Sequence, residues 1–142
     1  MKGRGWFLMA KALMAIDVGL KRIGVALCLE GGMVFPQPAI LRKNRNQAAE
    51  ETLACAQAWR VETLVVGLPK EGASSEEMER RIRHFVGLLG FAGEIVYVDE
   101  QGSSLEAKER MRGVTKQQRD GKIDSLAASI ILERYLAKKP KA

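Results

Sequence analysis

Ala15-Ile16-Asp17-Val18-Gly19-Leu20-Lys21-Arg22-Ile23-Gly24-Val25-Ala26 sets a carboxylate near the end of one apolar run and opens a second run four residues after a glycine. The first run starts at Ala12 and the second extends from Ile23 to Leu29. Two apolar runs joined by a short Gly- and Lys-containing turn predict a buried strand, a tight turn and an antiparallel partner. An ionised Asp inside a buried strand is costly unless it is paired or holds a metal. Taken alone, Asp17 could equally cap the amides of its own turn, as Asp often does. The weighing depends on where the other acids fall.

Working outward, Gly31-Gly32 predicts a hairpin turn, followed by a third strand from Met33 to Leu41. Pro36 and Pro38 cannot donate to a ladder, so this strand belongs at a sheet edge. Asn44 is the expected cap of a helix from Asn46 to Arg60, with Ala48, Ala49, Leu53, Cys55, Ala56 and Trp59 on its apolar side. Val61 to Gly67 reads as a central parallel strand after a crossover. Ser74 and Glu77 form a capping-box pattern ahead of Met78, Ile82, Phe85, Val86 and Leu89 at helical spacing. Arg80, Arg81 and Arg83 project from that stripe, and His84 reads as a surface helix residue.

Ile95 to Val98 forms a fifth strand that runs into Asp99-Glu100. Ser103 and Glu106 open a short helix to about Arg112, with Gly113 as its stop. Residues 114–121 are polar and basic and read as a loop. A last helix runs from about Lys122 to Lys138, with Asp124 in its first turn and Ile123, Leu126, Ala127, Ile130, Ile131 and Tyr135 inward. The order βββαβαβαα predicts one mixed α/β sheet flanked by helices, with strand order 3-2-1-4-5: the ribonuclease H-like arrangement.

The chain has 142 residues, enough for one domain with a substantial core. We expect 12–139 to form that single ribonuclease H-like domain and 1–11 to be a loosely ordered extension. The net charge of +6 favours an anionic partner, nucleic acid first among them, although it also serves solubility. Cys28 and Cys55 form no CxxC pair, which argues against zinc and for a reducing cytoplasm. No run approaches the ~20 apolar residues that span a bilayer.

Asp17, Asp99-Glu100 and Asp124 can converge at the carboxyl edge of such a sheet, where sites of α/β folds lie. Three carboxylates meeting in a cleft need raised pKa values or bound cations. No basic residue is spaced to neutralise them, so Mg²⁺ or Mn²⁺, the ions that all-oxygen donor sets select, are the expected cofactors. Two ions ~3.5–4 Å apart would suit phosphodiester hydrolysis. Each acid also has a plain reading, Asp124 as a favourable helix-dipole charge and Asp99-Glu100 as solvated turn residues. Neighbouring strand side chains face opposite ways, so one of Asp99 and Glu100 should face the cleft.

Four ordered motifs resemble the YqgF family of Holliday-junction resolvase-like and pre-16S ribosomal RNA nuclease proteins. They are Asp17-x-Gly19-x-Lys21-Arg22-Ile23-Gly24-Val25-Ala26, Val65-Val66-Gly67-Leu68-Pro69, Asp99-Glu100-Gln101-Gly102-Ser103-Ser104, and Asp124-x-x-Ala127-Ala128. The resemblance runs from Ala12 to Leu136. It implies a metal-dependent endonuclease acting on structured nucleic acid, either precursor ribosomal RNA or branched DNA. It also implies that Asp17, Glu100 and Asp124 are the catalytic and metal-holding acids, and it favours Glu100 over Asp99.

Lys21, Arg22, Lys116, Arg119 and Lys122 are the expected nucleic-acid contacts, Lys21 alternatively being a solvated turn residue. Small Ala127 and Ala128 would let the last helix approach the sheet. A homodimer is the arrangement a junction cutter would use for paired cuts. Gln101 stands where the family has arginine, and the loop after Pro69 is short. A nucleic-acid- or ribosome-binding module with weakened catalysis is therefore the alternative. A sugar-kinase-like phosphotransferase would need a second domain that this length lacks.

Overall fold

The computed structural model describes residues 12–29, 32–70, 72, 74–101, 103–110 and 122–138, with backbone alone for 103, 104, 122 and 123. The expected extension at 1–11, Gly31, the stop at Gly113, and the loop carrying Lys116 and Arg119 lie outside the described residues. So do the side chains of Ser103, Ser104 and Lys122.

Strands β1 (Ala12–Val18), β2 (Arg22–Leu29) and β3 (Val34–Leu41) precede helix α1 (Arg45–Ala58), strand β4 (Val61–Leu68) and helix α2 (Ser75–Leu89). Strand β5 (Glu94–Asp99) and helices α3 (Ser103–Arg110) and α4 (Lys122–Lys138) complete the order. The sheet runs β3-β2-β1-β4-β5. β1 pairs antiparallel with β2 and parallel with β4, and β5 is parallel to β4. β3, with its two prolines, takes an edge as expected.

Strand alternation sorts the side chains into two layers. Met14, Ile16 and Val18 pack with Ile82, Phe85, Val86 and Leu89 of α2 and the alanines of α1. Ala15, Ala26, Val65 and Val98 face Ala128, Ile131 and Leu132 of α4. Asp17 is two residues beyond Ala15, so it lies on the α4 face. The two alanines credited with close packing divide their work: Ala128 meets the sheet, while Ala127 meets Ala107 of α3.

Both caps were expected, and one behaves differently. Asn44 accepts from the Gln47 amide at 2.8 Å, and the Gln47 side chain returns to the Asn44 amide. Ser74 does precede α2, but its side chain makes no capping bond. Glu77 instead pairs with Arg81 one turn on, at 2.8 Å; a competing cation removes the back-reaching half of the box.

Gly87 lies exposed within α2, and a Cβ there would meet nothing within 4 Å. Gly87→Ala should stabilise the protein by about 0.5–1 kcal/mol, because a mid-helix glycine carries an entropic cost without a packing role. Thermal melting should read this as a rise of about 2–5 °C in Tm.

Candidate active site

Three elements deliver acids to the edge formed by the carboxyl ends of β1, β4 and β5. Asp17 stands on β1 opposite Gly24 of β2. Glu100 follows β5 directly, and its amide donates to the Leu68 carbonyl at 3.0 Å, which holds it against the end of β4. Asp124 rides on the first turn of α4.

Glycines make room for these approaches. A Cβ on Gly24 would lie 2.0 Å from the Asp124 carbonyl oxygen and 2.4 Å from its carbonyl carbon. The start of α4 therefore rests on bare β2 backbone, directly across from Asp17. Gly67 does the same for Glu100: an added Cβ would stand 3.0 Å from the Glu100 Cβ and 2.5 Å from Ile131 Cδ1. Beside Gly24, the Val25 amide donates to buried Ser125 Oγ at 3.3 Å. That hydrogen bond ties α4 to β2 one residue past each partner.

The electrostatics divide the three acids unequally. Burial first, then the charge of Glu100, a hydrogen bond with the Glu100 side chain and the charge of Asp124, push the Asp17 carboxyl well above its ordinary 3.8. Burial also raises Glu100 above its ordinary 4.5; the hydrogen bond to Asp17 opposes this, Asp99 adds to it and Arg134 opposes it. Burial is the leading cause for both, so each carboxyl holds its proton to higher pH than a free acid does.

Asp124 is turned elsewhere. Its Oδ2 accepts from Arg22 Nε at 2.8 Å, both side chains being about one-third exposed, at 31% and 35%. Such a half-solvated pair contributes about 1 kcal/mol or less. The sequence expectation that no cation would neutralise the acids is thus corrected twice: Arg22 meets Asp124, and Arg134 of α4 acts on Glu100. Among the described residues, no three His, Cys, Asp or Glu side chains are closed into a ready metal cage.

Asp99 serves its own turn. Its Oδ1 accepts from the Gln101 amide at 2.9 Å, and its carbonyl accepts from Arg134 at 3.1 Å. Sequence reasoning missed Arg134. It occupies the same helix as Asp124, three turns on, and only the packing of α4 along the sheet brings it to the end of β5. Lys21 is exposed in the β1–β2 turn, beside the Gly19 amide that donates to the Arg22 carbonyl at 3.0 Å.

The sheet order, the crossovers and the acids at the carboxyl edge define a protein of the ribonuclease H-like class. A fowlpox virus Holliday junction resolvase has the same fold at a TM-score of 0.53 and 12% identity, over 88% of this chain and 97% of that one. The sequence profile of RuvX, described as Holliday junction resolvase, matches residues 11–138, and the chain belongs to that family. A Sulfurovum protein provisionally named a pre-16S rRNA nuclease is 64% identical over 125 residues, covering 88% of this chain and 98% of the relative. Proteins with the same provisional name from Sulfurimonas denitrificans and Helicobacter pylori are 51% and 44% identical. Those alignments cover 89% and 87% of this chain, and 97% and 93% of the relatives.

Proposed function

We propose that this chain is a metal-dependent endonuclease that cuts structured nucleic acid. Pre-16S ribosomal RNA is the substrate that its named relatives point to, and branched DNA the one in the family description. The observation carrying this reading is the arrival of Asp17, Glu100 and Asp124 at one carboxyl edge of the sheet, where Gly24 and Gly67 leave room for the Asp124 backbone and the Glu100 Cβ. Supporting it is a net charge of +6, which suits a polyanionic substrate.

The donor set fits a hard divalent ion, Mg²⁺ or Mn²⁺. Asp17 and Glu100 supply only oxygen, are half-buried, and have carboxyls raised above the ordinary range, so a cation would displace protons on binding. Asp124 completes the set on leaving Arg22. When bound, one or two such ions supply Lewis acidity toward the phosphodiester and the attacking water.

The chain's own residues do the remaining work. Ionised Asp17 and Glu100 would hold the cation, and Arg22, on exchanging from Asp124, would offer a phosphate a planar fork of donors. Lys21 adds charge at the turn, and Lys116, Arg119 and Lys122 are further candidate contacts. Arg134 keeps Glu100 easier to ionise, standing in for the arginine that Gln101 replaces. A cytoplasmic location and, on branched DNA, a homodimer accord with this reading; among the described residues no helix is long and apolar enough to cross a membrane.

Purified protein should cleave precursor ribosomal RNA or junction DNA with Mg²⁺ or Mn²⁺ and stop when EDTA is added. Failure to cleave either nucleic acid with both ions would sink the proposal. The Arg22–Asp124 pair and Gln101 favour one second reading, a binding module with weakened catalysis. Salt-sensitive binding without cleavage would select it.

Arg134→Gln should raise the Glu100 pKa, moving the acidic limb of the pH–rate profile to higher pH. Cleavage near neutrality should fall about tenfold, with much less loss at high pH where Glu100 is ionised anyway. A uniform loss at every pH would assign Arg134 a packing role instead.

A further inference from the structure

The sheet's other face carries a feature that the acidic site does not use. Val18, one residue after Asp17, faces α1 and α2 and lines a cavity of about 520 Å³ with Gly19 and Leu20. Its wall includes Arg42, Arg45, Arg80 and Arg81, with His84 and a single acid, Glu77. The volume is that of a ligand site. A core-packing role does not explain four arginines around one opening.

Each arginine keeps donors to spare. Arg42 lies half-buried, stacks over the Phe85 ring at 5.4 Å and gives one nitrogen to the Gly19 carbonyl at 2.8 Å. Arg45 donates to His84 Nε2 at 3.1 Å, which satisfies a hydrogen, and it pairs with no acid among the described residues. Exposed Arg80 pairs with no described acid. Among the described residues Arg81 is held only by Glu77, in a pair more than half exposed, at 57% and 56%. Burial, then the charges of Arg45 and Arg81, lower the Arg42 pKa, as expected for cations crowded against one another.

We infer that this cavity binds backbone phosphates of the same nucleic-acid strand that Asp17 and Glu100 act on, the strand passing over the β1–β2 turn from one sheet face to the other. The inference rests on the nuclease reading. Its geometry is the adjacency of Asp17 and Val18, which point to opposite faces at one edge, with Gly19, Leu20 and Lys21 between the two sites. Arginine is the residue suited to such a place, because its fork matches two phosphate oxygens at once.

The test uses the full chain, a fluorescein-labelled single-stranded RNA and a labelled junction DNA, with anisotropy read over a salt series. Arg45→Gln with Arg80→Gln should weaken binding about tenfold and flatten the salt slope by roughly 1.4 to 1.8, the share of two lost phosphate contacts. Lys at both positions should restore the slope. A control pair at the far edge, Arg60→Gln with Lys138→Gln, removes equal charge and should change the slope much less.

Unchanged affinity and slope in the Arg45/Arg80 variant, while wild type binds and cleaves, would overturn this inference alone. Wild type that neither binds nor cleaves would remove the nuclease reading along with it. Pyrophosphate or ATP that raises the wild-type Tm through Arg45 and Arg80 without displacing RNA would assign the cavity to a small phosphate ligand and overturn the strand path.

Discussion

Asp17→Asn is expected to lower metal-dependent cleavage by on the order of 10³-fold or more, and at the same time to stabilise the metal-free protein at neutral pH. The first effect follows from removing a charged ligand to an ion that supplies several kcal/mol to the transition state. The second follows from the sign of the pKa shift. Asp17 is raised well above 3.8 in the fold. The folded protein therefore binds more protons than the unfolded chain in the interval between the ordinary carboxylate range and the raised value. Stability from this group is complete below that ordinary range and is lost as pH climbs through the folded value.

Asn cannot ionise, so it escapes that loss. Urea midpoints of the two proteins should differ more at about pH 8 than at about pH 5, with the variant ahead. Saturating Mn²⁺ should stabilise the wild type and do less for the variant, closing or reversing the gap. Full cleavage by Asp17→Asn, or a stability difference that ignores pH, would remove Asp17 from the site. The trade is a familiar one: residues held in costly environments for function destabilise the fold that holds them.

Gly24→Ala should be the most disruptive small substitution in the described chain. Its methyl group would be placed 2.0 Å from the Asp124 carbonyl oxygen and 3.0 Å from the Ser125 nitrogen. Both atoms are helix backbone, so no rotamer change gives relief; α4 must shift off the sheet. That shift also breaks the Val25–Ser125 hydrogen bond and opens the layer of Ala128, Ile131 and Leu132. Overpacking against backbone should cost about 3 kcal/mol or more, lowering Tm by about 10 °C. Molecules that remain folded should still cleave poorly, since Asp124 moves with its helix. Gly87→Ala is the matched contrast, with the same chemical change in open space. A melting temperature within a degree or two of wild type for Gly24→Ala would refute the close approach of α4 to β2.

The same residue separates what could be read early from what could not. Gly24 is legible in the sequence as a glycine near Asp17, suggesting a backbone that turns close to the site. In the fold, the close approach comes from α4, one hundred residues later. Gln101 reads as a lost cation, and Arg134, which acts on the neighbouring Glu100, is supplied by a distant helix. Arg80, Arg81 and His84 read as solvated helix surface, as their 3.6-residue spacing implies. Their joining with Arg42 and Arg45 into one basic cavity depends on how α1 and α2 pack side by side beneath the β1–β2 turn.

By itself the sequence determined the strands, helices and sheet order, because apolar periodicity, proline positions and crossover handedness are local or topological rules that act on short stretches. It also marked Asp17, Asp99-Glu100 and Asp124 as candidates, since an acid in or beside an apolar run stands out without any coordinates, while the preference for Glu100 over Asp99 came with the family resemblance. Only the tertiary structure decided how these charges are disposed: Asp17 half-buried beside Glu100, Asp124 against Arg22, Glu100 near Arg134. Electrostatic pairing depends on distance and burial, and both are set by residues as far as 102 positions apart in the chain.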